Sequence, residues 1–138
     1  MVGRHRDLRG ARIAVIEDDR LLRESLAIFL RLRGCQVEAF DSAEEACEAG
    51  GFGRFDAVIG DYVLPGGDGL SVLRRVREES PDTVTVLITA HWGEELPEAA
   101  KRGGVDAVVP KPFSTMQLED TLHRLIGRKG TEGGCLVE

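Results

Sequence analysis

Five residues of this chain could together do phosphate chemistry: Glu17, Asp18, Asp61, Thr89 and Lys111. Each stands at the end of a short apolar run or just beyond it. Drawn together, three carboxylates would face a single ammonium. Like charges about 4 Å apart repel by roughly 4 kcal/mol at an effective dielectric near 20, and Lys111 alone cannot neutralise the cluster. A hard divalent cation can, and oxygen-only ligands completed by water favour magnesium over zinc. Such an ion would also screen a phosphoryl group, letting an anionic carboxylate attack an anionic phosphate. Thr89 would add a hydrogen bond to a charged oxygen, about 1.5–3 kcal/mol. Taken singly, each residue has a plainer role. Asp61 and Lys111 would form a structural ion pair, Glu17 and Asp18 would be solvated, and Thr89 would be a surface or edge hydroxyl. Only joint placement favours a site.

The surrounding pattern supplies that placement. Short apolar runs alternate with amphipathic stretches, as in a parallel α/β sheet. Residues 12–16 predict a strand ending at Glu17-Asp18-Asp19, and residues 20–33 predict a helix stopped by Gly34. That helix packs through Leu22, Leu26, Phe29 and Leu30, with Arg20, Arg23, Glu24 and Arg31 opposite. A second strand covers 36–40, and Ser42 with Glu45 reads as a capping box for a helix ending near Gly50-Gly51. The third strand, 55–60, delivers Asp61, and Pro65-Gly66-Gly67 forms a turn before Asp68 caps the next helix on Leu70, Leu73 and Val76. The fourth strand, 83–88, leads to Thr89-Ala90, and the fifth, 106–109, to Pro110-Lys111-Pro112. Between them the fourth helix is weak, with Pro97 in its first turn and only Leu96, Ala99 and Ala100 for packing. Ser114 with Gln117 opens a last helix running to about Ile126.

The expected fold is therefore a doubly wound, flavodoxin-like α/β domain: five parallel strands in the order 2-1-3-4-5 with five helices. Residues 1–10 read as an N-terminal extension, 11–127 as the domain, and 128–138 as a flexible glycine-rich tail. In such sheets ligands bind outside the carboxyl ends of the strands. All five chemical residues fall on that edge.

Composition narrows the function. A chain of 138 residues fits one domain. No apolar run approaches a membrane span, and Arg4-His5-Arg6 precedes no signal-like segment, so the expected location is cytoplasmic. A net charge of −6 argues against general affinity for nucleic acid or anionic membranes. Cys35, Cys47 and Cys135 lack metal-ligand spacing and read as reduced thiols. Trp92 reads as an anchor for the weak helix. His91 reads as an exposed rim residue, while His5 and His123 show no partner pattern.

Five segments, in order and spacing, resemble the receiver domain of bacterial two-component response regulators. They are Val15–Asp19 (VIEDD), Asp61–Gly69 (DYVLPGGDG), Leu87–Ala90 (LITA), Gly104–Ala107 (GVDA) and Val109–Phe113 (VPKPF). The resemblance covers about residues 11 to 127. It implies that Asp61 accepts a phosphoryl group and that Glu17 and Asp18 organise magnesium with Asp61 and the backbone carbonyl of Val63. It also implies that Thr89 and Lys111 contact the phosphoryl group, and that Val63 and His91 tune its hydrolysis. The implied donor is a sensor histidine kinase or a histidine phosphotransfer protein, and the implied reader is a downstream output domain or protein. A homodimer face is implied on the fourth helix, fifth strand and fifth helix. The resemblance implies no enzyme beyond catalysis of the domain's own phosphorylation and dephosphorylation.

One departure matters. The family places an aromatic residue three positions before the lysine, and here that position is Val108. Coupling would then travel through backbone and helix shifts, which makes the loosely packed fourth helix the expected output surface. Competing readings are weaker. A haloacid-dehalogenase-type phosphatase, also using an aspartate nucleophile and magnesium, needs Asp-x-Asp after the first strand, where Glu17-Asp18-Asp19 stands. A nucleotide switch needs a glycine-rich loop after the first strand. A non-phosphorylated pseudo-receiver would not need Asp61, Thr89 and Lys111 together.

Overall fold

The structure, a computed structural model, describes residues 8–90, 98, 100, 102 and 104–132. Its sheet strands are β1 (Arg12–Ile16), β2 (Gln36–Phe40), β3 (Ala57–Asp61), β4 (Val84–Thr89) and β5 (Ala107–Pro110). All pair in parallel, in the spatial order β2-β1-β3-β4-β5. The central runs are buried on both faces, as a parallel sheet between two helical layers requires. Alternation divides their side chains. Ala14, Ile16, Val58 and Leu87 pack with Leu70, Leu73 and Val76 on one side. Ile13, Val15, Ile59, Val86 and Ile88 meet Leu26, Leu30, Leu118 and Leu122 on the other.

The helices among the described residues are α1 (Arg20–Leu32), α2 (Ala43–Ala49), α3 (Gly69–Glu79) and a C-terminal helix, Thr115–Glu132. Their starts follow local capping chemistry. Asp19 Oδ1 accepts from Leu22 N at 3.1 Å, Ser42 Oγ from Glu45 N at 3.0 Å, Asp68 Oδ1 from Ser71 N at 2.7 Å, and Ser114 Oγ from Gln117 N at 3.0 Å. The expected capping box at Ser42 is modified, because Glu45 Oε1 accepts from Asp41 N rather than from the cap residue. Gly34 ends α1 with a φ of 90°, where Cβ would also collide with Arg9.

Several boundaries differ from expectation. β3 starts at Ala57 rather than at residue 55 and includes Asp61. β4 and β5 each lie one residue further along, so Thr89 and Pro110 are paired strand residues. Here the apolar run marks the buried part of the strand, whereas backbone pairing continues to the site. The last helix passes Ile126 and reaches Glu132, since Gly127 and Gly130 weaken a helix without breaking it. Of the expected fourth helix, Glu98, Ala100 and Arg102 are helical and Ala100 is buried. Trp92 and Pro97 lie outside the described residues, as do His5 and Cys135. Residues 8–10, expected as extension, join the fold: Leu8 is in the core, and Gly10 N donates to Gly34 O at 2.8 Å.

Candidate functional site

Parallel pairing brings the ends of β1, β3, β4 and β5 to one edge. Asp61 and Ile88 are register partners, as are Thr89 and Pro110. Glu17 extends β1 by one bond, its N–H donating to Phe40 O at 3.0 Å. Glu17, Asp18 and Asp61 each offer a carboxylate oxygen within 4.8 Å of the others. Glu17 is fully buried, Asp61 is 6% exposed, and Asp18 lies at the open side. Lys111 closes the cluster, with Nζ 2.7 Å from Asp61 Oδ2 and 3.2 Å from Glu17 Oε1. Thr89 is fully buried at the same edge.

The loops are held by bonds that the sequence signals only faintly. Arg23, expected on the outer face of α1, is half-buried. Its Nη1 donates to Glu17 O at 2.9 Å and to Asp18 O at 3.5 Å, pinning the acidic loop from behind. Asp19 is the cap of α1, and its N–H donates to Glu17 Oε2 at 3.0 Å. On the β3 side, Val63 N donates to Asp61 Oδ1 at 3.3 Å. Val63 pairs with Asp68 in a two-residue antiparallel ladder across the Pro65-Gly66 turn. Gly69 is required by close approach. A Cβ there would overlap the Asp61 carbonyl, while Gly69 N donates to Tyr62 O at 2.9 Å. Lys111 N donates to Thr89 O at 2.8 Å, and the Lys111–Pro112 bond is cis. Val108 is half-buried against the cluster containing Leu87 and Ala100. His91 lies outside the described residues.

Electrostatics mark the cleft as short of positive charge. Burial raises the Glu17 carboxyl from 4.5 to about 7, and the charge of Asp61 adds to this against the opposing pull of Asp19 N–H and the Lys111 ammonium. Burial pulls Lys111 down, but its bond to Asp61 and the two negative charges outweigh this and set it above the usual lysine value. The ammonium is aimed at Asp61, so Glu17 Oε1 is buried without a hydrogen-bond partner despite its 3.2 Å contact. A buried, unsatisfied carboxylate oxygen next to two further carboxylates is the donor set that a hard divalent cation completes. The residues present fit magnesium. By contrast, Cys35 is buried near Leu8 O with its thiol pushed up to about 11 by burial and by nearby acids, as an inert structural thiol would be.

Fold and site together define an α/β module with an acidic, lysine-closed cleft at the carboxyl edge of a parallel sheet. The family model described as the response regulator receiver domain matches residues 13–123, and the chain belongs to that family. Response regulator MprA of Mycolicibacterium vanbaalenii is 34% identical over 124 residues, covering 90% of this chain and 54% of that protein. Transcriptional activator protein PfeR of Pseudomonas aeruginosa is 35% identical over 124 residues, covering 90% and 40%. The chain thus spans about half the length, or less, of these relatives. The non-phosphorylated HemR receiver domain from Leptospira biflexa superposes with a TM-score of 0.78 at 28% identity, covering 84% of this chain and 94% of that one. Among the described residues no helix is long and apolar enough to cross a membrane.

Proposed function

We propose that this chain is the phosphoacceptor module of a phosphorelay, with Asp61 as the residue phosphorylated. The observation that carries the reading is the contact of 2.7 Å between Lys111 Nζ and Asp61 Oδ2 inside a three-carboxylate cluster. The donor is a sensor histidine kinase or a histidine phosphotransfer protein. A carboxylate oxygen of Asp61 forms the new O–P bond as the P–N bond of phosphohistidine breaks, and its electron pair returns to the imidazole. Lys111 orients the Asp61 carboxylate before transfer and then binds a phosphoryl oxygen, with Thr89 donating to another. Arg23 and Gly69 are positioning residues, holding the two loops that carry the carboxylates. Glu17, Asp18 and Asp61, with the backbone carbonyl of Val63, would hold magnesium. The ion supplies charge neutralisation for the phosphoryl oxygens.

In this reading the chain acts on itself alone, catalysing its own phosphorylation and dephosphorylation in the cytoplasm. Val63, half-exposed beside Asp61, and His91 tune hydrolysis from the rim. A downstream output domain or protein reads the phosphorylated state on the segment between β4 and β5, and the fourth helix, β5 and the C-terminal helix serve a homodimer. Neither nucleic acid nor membrane is a partner of this chain itself. The test is incubation with acetyl phosphate and magnesium, followed by intact mass. Wild type should gain one phosphoryl group, and chelation or Asp61→Asn should abolish the gain. No gain by wild type, or an equal gain by Asp61→Asn, would overturn the assignment.

A further inference from the structure

A groove of about 500 Å³ runs from the apolar face of α1 to the loop after β5, lined by Leu22, Leu26, Phe29, Ala90, Lys111 and Phe113. Four of these side chains are apolar and belong to α1 or to the loop. The other two tie the groove to the acidic cleft: Ala90 directly follows Thr89, and Lys111 contacts both Asp61 and Glu17. Ser25, exposed on α1, and Thr115 complete the rim. The volume lies within the roughly 300–1,000 Å³ typical of small-molecule sites, which pair an apolar lining with few polar anchors. An apolar trough bordered by Lys111, whose ammonium meets Asp61 and Glu17 in the adjoining cleft, is complementary to a ligand with an apolar body and an anionic head that reaches into that cleft.

We infer that this groove takes the leaving group of a small-molecule phosphodonor, so that the cleft prefers acyl phosphates with an apolar or aromatic acyl group over acetyl phosphate. The inference rests on Asp61 being the phosphoacceptor. In the step, an Asp61 oxygen forms the O–P bond while the bridging O–P bond of the acyl phosphate breaks. The electron pair leaves on the departing carboxylate, so no proton or co-reactant is required. The phosphoryl head meets Asp61 with Lys111 turning from the carboxylate to one of its oxygens, and the acyl group extends past Ala90 over Leu22 and Phe113. A phenyl ring covering roughly 60 Å² of this lining is favoured by about 25 cal/mol per Å², which amounts to a rate advantage of about tenfold at low donor concentration.

The experiment compares benzoyl phosphate with acetyl phosphate, whose carboxylate leaving groups are of similar basicity. Initial phosphorylation of the full chain with magnesium is followed by intact mass. The expected result is a benzoyl-to-acetyl rate ratio of about ten in wild type, falling towards one in Ser25→Trp, which fills the trough from an exposed position. Acetyl phosphate should phosphorylate that variant at the wild-type rate, which also reports that it is folded. Leu22→Ala, which removes lining without filling space, should lower the ratio in part. A wild-type ratio near one overturns the inference while leaving Asp61 as phosphoacceptor. A ratio unaffected by Ser25→Trp also overturns it, including where that variant instead slows transfer from a phosphohistidine protein, because the groove would then serve a protein donor. Failure of both donors on wild type would count against the phosphoacceptor reading itself.

Discussion

Replacing Lys111 by Met removes the ammonium and keeps most of the apolar stem. The structure sets the size of the effect. At an effective dielectric near 20, contacts of 2.7 and 3.2 Å correspond to roughly 6 and 5 kcal/mol of gross attraction. Desolvation of the three groups offsets most of that sum, and breaking a buried pair on one side typically costs about 3–5 kcal/mol. Glu17 can relieve part of the loss by taking up a proton, because its carboxyl already sits at about 7. Lys111→Met should therefore lose about 3 kcal/mol at pH 8 without divalent ions, and clearly less at pH 5.5. Magnesium should act in the opposite sense. The ammonium competes with a cation for Asp61 and Glu17, which it contacts at 2.7 and 3.2 Å, so the variant should bind magnesium more tightly than wild type. Urea unfolding at the two pH values, in chelator and with a magnesium titration, reads both quantities. Unchanged stability together with weaker magnesium binding would refute the reasoning.

Three further outcomes follow from the same contacts. Gly69→Ala should destabilise by about 1–3 kcal/mol and slow phosphorylation, because the added methyl forces α3 away from the Asp61 carbonyl; denaturant midpoints and labelling rates check this, and a neutral substitution would contradict it. Glu17 is a carboxyl whose folded value, about 7, lies above its ordinary 4.5, so the folded state holds its proton more tightly. Its contribution is therefore full below pH 4.5 and fades as pH rises to about 7, and in chelator wild type should lose stability relative to Glu17→Gln across that window; a relative gain would reverse the sign. Asp106→Ala removes the acceptor of Thr85 N at 2.9 Å and the partner of Arg77 at 3.2 Å, leaving a buried N–H unpaired, so unfolding should become easier by about 2 kcal/mol.

Much of this is legible in the sequence, for definite physical reasons. β-Branched runs ending in polar residues locate both the strands and their functional ends, so the convergence of Glu17, Asp61, Thr89 and Lys111 could be anticipated from chain order alone. Caps were legible where a short polar side chain precedes an apolar period, as at Asp68 and Ser114. What escaped were contacts made backwards or between backbones. Arg23 looks like a surface arginine in the helical pattern, yet it turns back to the carbonyls of Glu17 and Asp18. In the sequence Asp19 looks like one more acid of the loop, although its position three residues before Leu22 is cap spacing. Gly69 looks like part of a turn motif, and only the packing of α3 on Asp61 shows why a side chain fails there. The end of the last helix escaped because glycines in a polar stretch resemble a tail by composition.

The central claim is chemical and attaches to one side chain. Borohydride reduces an aspartyl phosphate to homoserine, which marks the site permanently. After phosphorylation with acetyl phosphate and magnesium, reduction and peptide mapping should find homoserine at position 61 and nowhere else. Homoserine at another carboxylate such as Asp18, or none in labelled protein, would contradict the account.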